Sequence, residues 1–178
     1  MQMATDAGAA TGSPGTSTAR RSPFHFCSSV PLDLWKEVEA LFYFHPRQDE
    51  LQARIRACVA EFGMPEILKR GERIHVGIAS NGAQCLFACH GESRAGVPVG
   101  VAVYLRTGAD LVRILHLAID PAYEHGGGRA ELNLAMALVN EVRQMARRVS
   151  GVRRVQLPYA ARAYLSVPRL AAEVTGRN

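Results

Sequence analysis

The sequence predicts a mixed α/β fold in the α+β sense. One central sheet begins as an antiparallel meander and continues, through a long helix, into a parallel strand. Three observations predict it. Over residues 73–120 apolar side chains recur with a period of two, in Val-, Ile- and Cys-rich runs separated by polar or glycine-containing turns. After Gly128 the period lengthens to that of an amphipathic helix of about six turns. A short β-branched run, VRRVQL at 152–157, then follows. A strand joined to its neighbour through a helix lies parallel to it, by a right-handed crossover.

Residues 1–21 (MQMATDAGAATGSPGTSTARR) are rich in Ala, Gly, Ser and Thr. Such a run cannot bury enough apolar surface to offset its ordering entropy, so a disordered tail is expected. It also lacks the apolar centre of a signal peptide. Residues 22–178 suffice for one core and are expected to form one domain. Residues 23–29 (PFHFCSS) suit a first strand. Pro31 opens a helix with Leu34, Trp35, Val38, Leu41 and Phe42 on one face, a face suited to the core. His45-Pro46 breaks that helix. Residues 49–62 form a second helix, with Leu51, Ile55, Cys58, Val59 and Phe62 as its stripe and Gly63 as its stop.

The meander then starts. Residues 73–80 meet Asn81-Gly82, a strong two-residue hairpin signal, and 83–90 return. Residues 91–96 turn the chain into a strand at 97–107, with Pro98 at its start, where a missing N–H does least harm. Gly108, Ala109 and Asp110 turn it into 111–120. The long helix carries Leu132, Ala135, Met136, Val139, Val142, Ala146 and Val149 on one stripe, and Ser150-Gly151 closes it. Residues 159–165 are expected to form a short helix, and 169–178 a loose or helical end.

The net charge of +5 favours an acidic ligand or partner without choosing one. With no zinc-finger spacing and few aromatics, nucleic-acid binding gains no support. No apolar run approaches the ~20 residues of a membrane span. The cysteines, Cys27, Cys58, Cys85 and Cys89, are scattered through hydrophobic contexts, which reads as reduced thiols in a cytoplasmic protein. Cys85 and Cys89 stand four apart on a strand, ~13 Å, which is too far for one metal ion.

The distinctive stretch is AIDPAYEHGGGRA at 118–130. A strand that ends in three glycines before a helix suits an anion. Glycine lets backbone N–H groups approach closely, and the first-turn N–H groups of a helix lack internal partners. The glycines lack the Lys-Ser/Thr of a P-loop and the GxGxxG spacing, so generic nucleotide binding is disfavoured.

The order of strand, two helices, antiparallel meander, glycine loop, long helix and parallel strand resembles the GNAT superfamily of N-acetyltransferases. The 118–130 stretch carries the likeness, with His125 where Gln or Arg is usual. The resemblance covers about residues 23–165. It implies acetyl-CoA, or another acyl-CoA, as cofactor. Its pantetheine arm would pair with Leu117, Ala118 and Ile119. His125 and the amides of Gly126, Gly127, Gly128, Arg129 and Ala130 would hold the diphosphate. It also implies a base on the strand before the loop and a tyrosine acid after the last strand. His116 fills the first role, since it titrates in the useful range, whereas Arg113 cannot act as a base. Tyr164 fills the second, with Tyr159 as the spare candidate. The acceptor would be the amine of a small molecule or a protein.

Two departures from the family's pattern matter. Only 21 residues follow Leu157, and Ser166-Val167-Pro168 stands where a Gly-Phe is usual. The acceptor side of the sheet is therefore either incomplete or completed by a partner subunit, which makes a homodimer one expected arrangement. A binding or interaction module of GNAT-like build without catalysis is the alternative. The run at 73–80 is also one strand more than the family's count before the loop.

Overall fold

The computed structural model describes residues 22–43, 48–91, 96–159 and 163–168. The tail expected at 1–21, the break at His45-Pro46, most of the 91–96 turn and the end at 169–178 lie outside them. In chain order the strands are β1 (Phe24–Cys27), β2 (Val30–Pro31), β3 (Glu66–Arg70), β4 (Arg73–Gly77), β5 (Gln84–His90), β6 (Pro98–Arg106), β7 (Leu111–Ile119), β8 (Arg154–Gln156) and β9 (Tyr164–Ser166). The helices are α1 (Trp35–Tyr43) and α2 (Gln48–Phe62), between β2 and β3, and α3 (Leu134–Ala146), between β7 and β8.

Six strands form one mixed sheet in the order β1-β5-β6-β7-β8-β9. All its pairs are antiparallel except β7 with β8, which run parallel across α3, as the 152–157 run implied. β5 and β6 read as continuous apolar runs because both faces of the sheet are covered. On one face Ala102, Tyr104, Val112 and Ile114 pack with Leu134, Leu138 and Val142 of α3. On the other, Phe87, Val101 and Val103 pack with Val38 and Phe42 of α1 and with Ile74 and Val76 of β4. Gly100 lets α3 sit close to the sheet: a Cβ there would lie 2.8 Å from a methyl of Leu138.

Three elements differ from the sequence reading. The run at 73–80 does not form a hairpin with 83–90. Its ordered part, β4, pairs with β3 and β2 in a separate three-stranded sheet. A tight turn at Gly71, with φ 59, closes the β3–β4 hairpin, and EILKR supplied too little alternation to announce β3. Asn81 donates its side-chain amide to the Phe62 carbonyl and accepts from the Ala83 N–H. The Asn-Gly turn therefore hands the chain from one sheet to the other, and the strand in excess leaves the central sheet.

The long helix is also shorter than its stripe suggests, at 13 residues. Asn133, left-handed with φ 48, breaks the chain between a 3-10 turn at Ala130–Leu132 and α3. Finally, the helix expected at 159–165 is not seen in its described residues, Tyr159 and 163–165; residues 160–162 lie outside them. Tyr159 takes φ 57, and Tyr164–Ser166 pairs with β8 as β9.

α2 keeps the expected stripe, but Leu51, Ile55, Cys58, Val59 and Phe62 are only half-buried. None of the four cysteines is in a disulfide. Among the described residues, no helix is long and apolar enough to cross a membrane.

Burial favours the neutral form of several groups. It pushes the Cys85 thiol up to about 11 and the Tyr104 phenol up to about 12. A group whose folded pKa is raised contributes stability that is fully present below its unfolded pKa and is lost as pH rises through the folded one. The ordinary values are 9.0 for the thiol and 10.0 for the phenol. The denaturant midpoint is therefore expected to hold up to pH 9 and to fall between pH 9 and about 12. Cys85→Ala and Tyr104→Phe should each flatten that fall, and a flat wild-type profile would contradict the assignment.

Candidate functional site

The site begins with a bulge. β6 and β7 pair regularly from Gly100 opposite Ile119 to Val103 opposite His116, and then Tyr104 stands opposite Ile114. Leu115 is thus an extra residue on β7. Side chains alternate along a strand, so Arg113 and His116, three apart, would ordinarily face opposite sides. The bulge shifts the parity by one and brings both to the α1–α2 face. There Arg113 lies over the Phe62 ring at 4.8 Å and pairs with Glu61 at 2.9 Å. The His116 ring meets the buried Phe42 ring edge-on at 4.8 Å.

Next to the bulge the sheet forks. β8 accompanies β7 only from Leu111 opposite Arg154 to Arg113 opposite Gln156. Beyond that, the Leu157 N–H donates to the Ala163 carbonyl. Pro158 has no N–H, and Tyr159 is left-handed. The chain turns away, and among the described residues no strand pairs with the β7 edge from Leu115 onward. Two side chains reach it instead. The Cys58 thiol of α2 donates to the Leu115 carbonyl at 3.4 Å, a weak bond. The Tyr159 hydroxyl accepts from the Leu117 N–H. Between α2 and the fork lies a cavity of about 180 Å³, lined among others by Arg54, Cys58, Glu61, Arg113, Leu157 and Tyr159.

Tyr159 and His116 form the chemical centre, with the phenol oxygen 2.5 Å from His116 Nδ1. Burial, opposed in part by the Leu117 N–H, pushes the Tyr159 phenol well above its ordinary value, so it keeps its proton. With the Leu117 N–H already donating to the phenol oxygen, the phenol's own hydrogen points to Nδ1. That arrangement makes His116 an acceptor at Nδ1 with its proton on the buried Nε2. A neutral acid and a neutral base thus share one short hydrogen bond at the mouth of an open strand edge.

The glycine loop is built differently from the sequence picture. Its three glycines precede α3 by a 3-10 turn and Asn133, so they are not at that helix's N-terminus. Gly127 N–H donates to Glu124, Arg129 N–H to Ala122 and Ala130 N–H to Gly127. Gly126 and Gly128 are the glycines whose amides make no backbone hydrogen bond among the described residues. Gly126 takes φ 90, and a Cβ on Gly127 would come within 2.4 Å of the Pro121 and Ala122 carbonyls. His125 is exposed. The Arg129 guanidinium turns inward to the buried Tyr123, whose hydroxyl also meets His90 Nδ1 at 2.8 Å.

Of the residues singled out from sequence, the structure puts His116 and Leu117 at the fork. Ala118 is buried against the α1 side, and Ile119 packs on the α3 side. It joins His116 to Tyr159 rather than to Tyr164. Tyr164 lies two strands away on β9, roughly 10 Å across the sheet. It is 42% exposed beneath the Arg154 guanidinium. Phe42, Cys58 and Glu61 were not anticipated as site residues. One signal was available: Arg113 and His116, two polar residues at odd spacing in an apolar strand, share a face only if a residue is inserted between them.

Gly127→Ala is expected to lose about 2 kcal/mol by forcing backbone apart, lowering Tm by roughly 4–8 °C. Gly128→Ala, with nothing within 4 Å of its Cβ, should stay near wild type. Equal melting of the two variants would show that close approach is not why position 127 is glycine.

No family model matches the sequence, and no curated protein matches it. The chain is similar to one solved structure, a protein from Desulfovibrio desulfuricans assigned to the GNAT family of acetyltransferases. The identity is 19%, over 74% of this chain and 69% of the other, with a TM-score of 0.37, a likeness too slight to carry an argument.

Proposed function

We propose that the chain is an acyl-CoA-dependent N-acyltransferase that moves an acetyl or related acyl group from coenzyme A to a primary amine of a small molecule or protein. The fork carries this reading: an uncovered β7 edge with a Tyr–His proton pair beside it. An extended chain bearing amides adds to such an edge as an extra strand does, and the pantetheine arm of coenzyme A bears two amides. Leu115, Leu117 and Ile119 would supply the backbone partners, the arm replacing the contacts that Cys58 and Tyr159 now make with Leu115 and Leu117. The diphosphate end fits less fully. As folded, the loop offers the amides of Gly126 and Gly128, with His125 beside them, rather than a run of five.

Bound there, the thioester would supply an activated acyl carbonyl. Tyr159 takes the proton released by the attacking amine while its own proton passes to His116 Nδ1. The pair then returns one proton to the departing sulfur. The N–C bond forms, the C–S bond breaks, and the Tyr–His pair ends as it began. In this reading Tyr159 takes the role assigned from sequence to Tyr164. Glu61, 55% exposed at the rim and paired with Arg113, offers a carboxylate oxygen to an N–H of the incoming neutral amine.

The second reading, a GNAT-like binding module without catalysis, draws support from the same edge, because Cys58 and Tyr159 already cap it. Titration calorimetry with acetyl-CoA, paired with a thiol-release assay over a panel of amines, separates the two. The transferase reading expects saturable binding and thiol release. His116→Ala and Tyr159→Phe should lower kcat by about 10²-fold or more while leaving coenzyme affinity within a few-fold. Binding without thiol release selects the module, and no binding sinks both.

A further inference from the structure

The molecule has a second concavity, separate from the one at the fork. A cavity of about 450 Å³ lies between the two sheets, with Arg70, His75 and Gln84 among its lining residues. A second, of about 280 Å³, lies along α3, lined by apolar groups that include Val142, Met145 and Val149. The two share Gly82, Gln84, Tyr104 and Met145, so they form one groove. Gly82 has open space where a side chain would stand, which leaves the passage clear. No lining residue is shared with the cavity at the fork.

The groove has two unlike ends. No Asp or Glu lines either part. Arg70 is exposed, and no hydrogen bond or ion pair of its side chain is seen among the described residues, unlike Arg73 and Arg106. Arg73 is tied to Ser29, and Arg106 to the carbonyls of Gly108, Ala109 and Ser150. The His75 ring is held by the Ser28 carbonyl. Burial and then Arg70 and Arg73 push its pKa down, which favours the neutral ring with its N–H on Ser28. The α3 end offers only hydrocarbon and a thioether, half open to solvent at Val149.

We propose that this groove binds a small amphiphilic monocarboxylate, with its carboxylate on the Arg70 guanidinium at the polar end and its hydrocarbon tail along Val142, Met145 and Val149. A single guanidinium matches a single negative charge. A carboxylate accepts two hydrogen bonds from such a fork, and a tail of several carbons would cover the apolar wall. The site stands independently of the acyltransferase reading.

Titration calorimetry on the full chain with octanoate, 1-octanol and octylamine tests it. Octanoate should bind saturably, octanol about tenfold more weakly or worse, and octylamine least, as loss of a charged hydrogen bond dictates. Arg70→Ala should lower octanoate affinity about tenfold, by the same reasoning. Val149→Glu, which puts a like charge beside the tail, should also weaken it. Arg70 and Val149 are exposed, so neither change threatens the fold. His116→Ala should leave octanoate affinity unchanged. No binding, octanol binding as tightly as octanoate, or an unaffected Arg70→Ala or Val149→Glu overturns the proposal. A comparable loss in His116→Ala would move the ligand to the fork and overturn it too.

Discussion

The ladder between β6 and β7, with Leu115 inserted into it, is the constraint on which the rest depends. These two strands decide which side chains meet α3 and which meet α1 and α2. On a sheet covered on both faces, parity is costly to change, because one step exchanges apolar and polar sets for the whole strand. The bulge makes that exchange once, midway along β7. Below it, Val112 and Ile114 enter the α3 core while Arg113 goes to Glu61. Above it, His116 joins Arg113 on the α1–α2 side, and Leu117 and Ile119 return to α3. An uninterrupted β7 would point His116 at the α3 core, where burying an imidazole without a partner is unfavourable. The Tyr–His pair exists because one residue is out of register.

The fork has an equally local cause. Three residues of parallel pairing are enough to fix β8. After them Pro158 removes a ladder donor and Tyr159 adopts a backbone conformation that cannot extend a strand. The same two residues that open the β7 edge also place the phenol across it. Opening the edge and supplying the proton pair are therefore one event in the chain.

What was legible in the sequence follows from the range of each signal. The central strands, the helix at 35–43 and the parallel return after α3 were legible because period and loop length are local properties. The second sheet was not. Arg73–Gly77 alternates well enough to belong to either sheet, and its partner β3, with Lys69 and Arg70 in a five-residue run, carries little apolar pattern. The glycine loop was legible as a loop and misleading in detail. Gly127 and Gly126 are accounted for by close approach and by a left-handed turn, needs that look identical in sequence to an anion cradle. His116 could be singled out as a titratable group on a strand, but choosing Tyr159 over Tyr164 required knowing where the strand stops.

The pairing of β1 with β5 sets an order of assembly. β5, β6 and β7 follow one another closely in the chain, so their ladders close over short loops with little entropy lost. β1 reaches the same sheet from about sixty residues upstream, opposite His90 at Phe24 and Phe87 at Cys27. Its docking must wait for a template that the meander provides, and it adds at an edge with four residues of contact. The Phe24 ring against Tyr123 then ties the glycine loop to that late-arriving strand. The loop is thus tied both to that strand and, through Tyr123 and His90, to β5, so loosening of the β1 edge would remove one of its two side-chain anchors and leave the β6–β7 ladder intact.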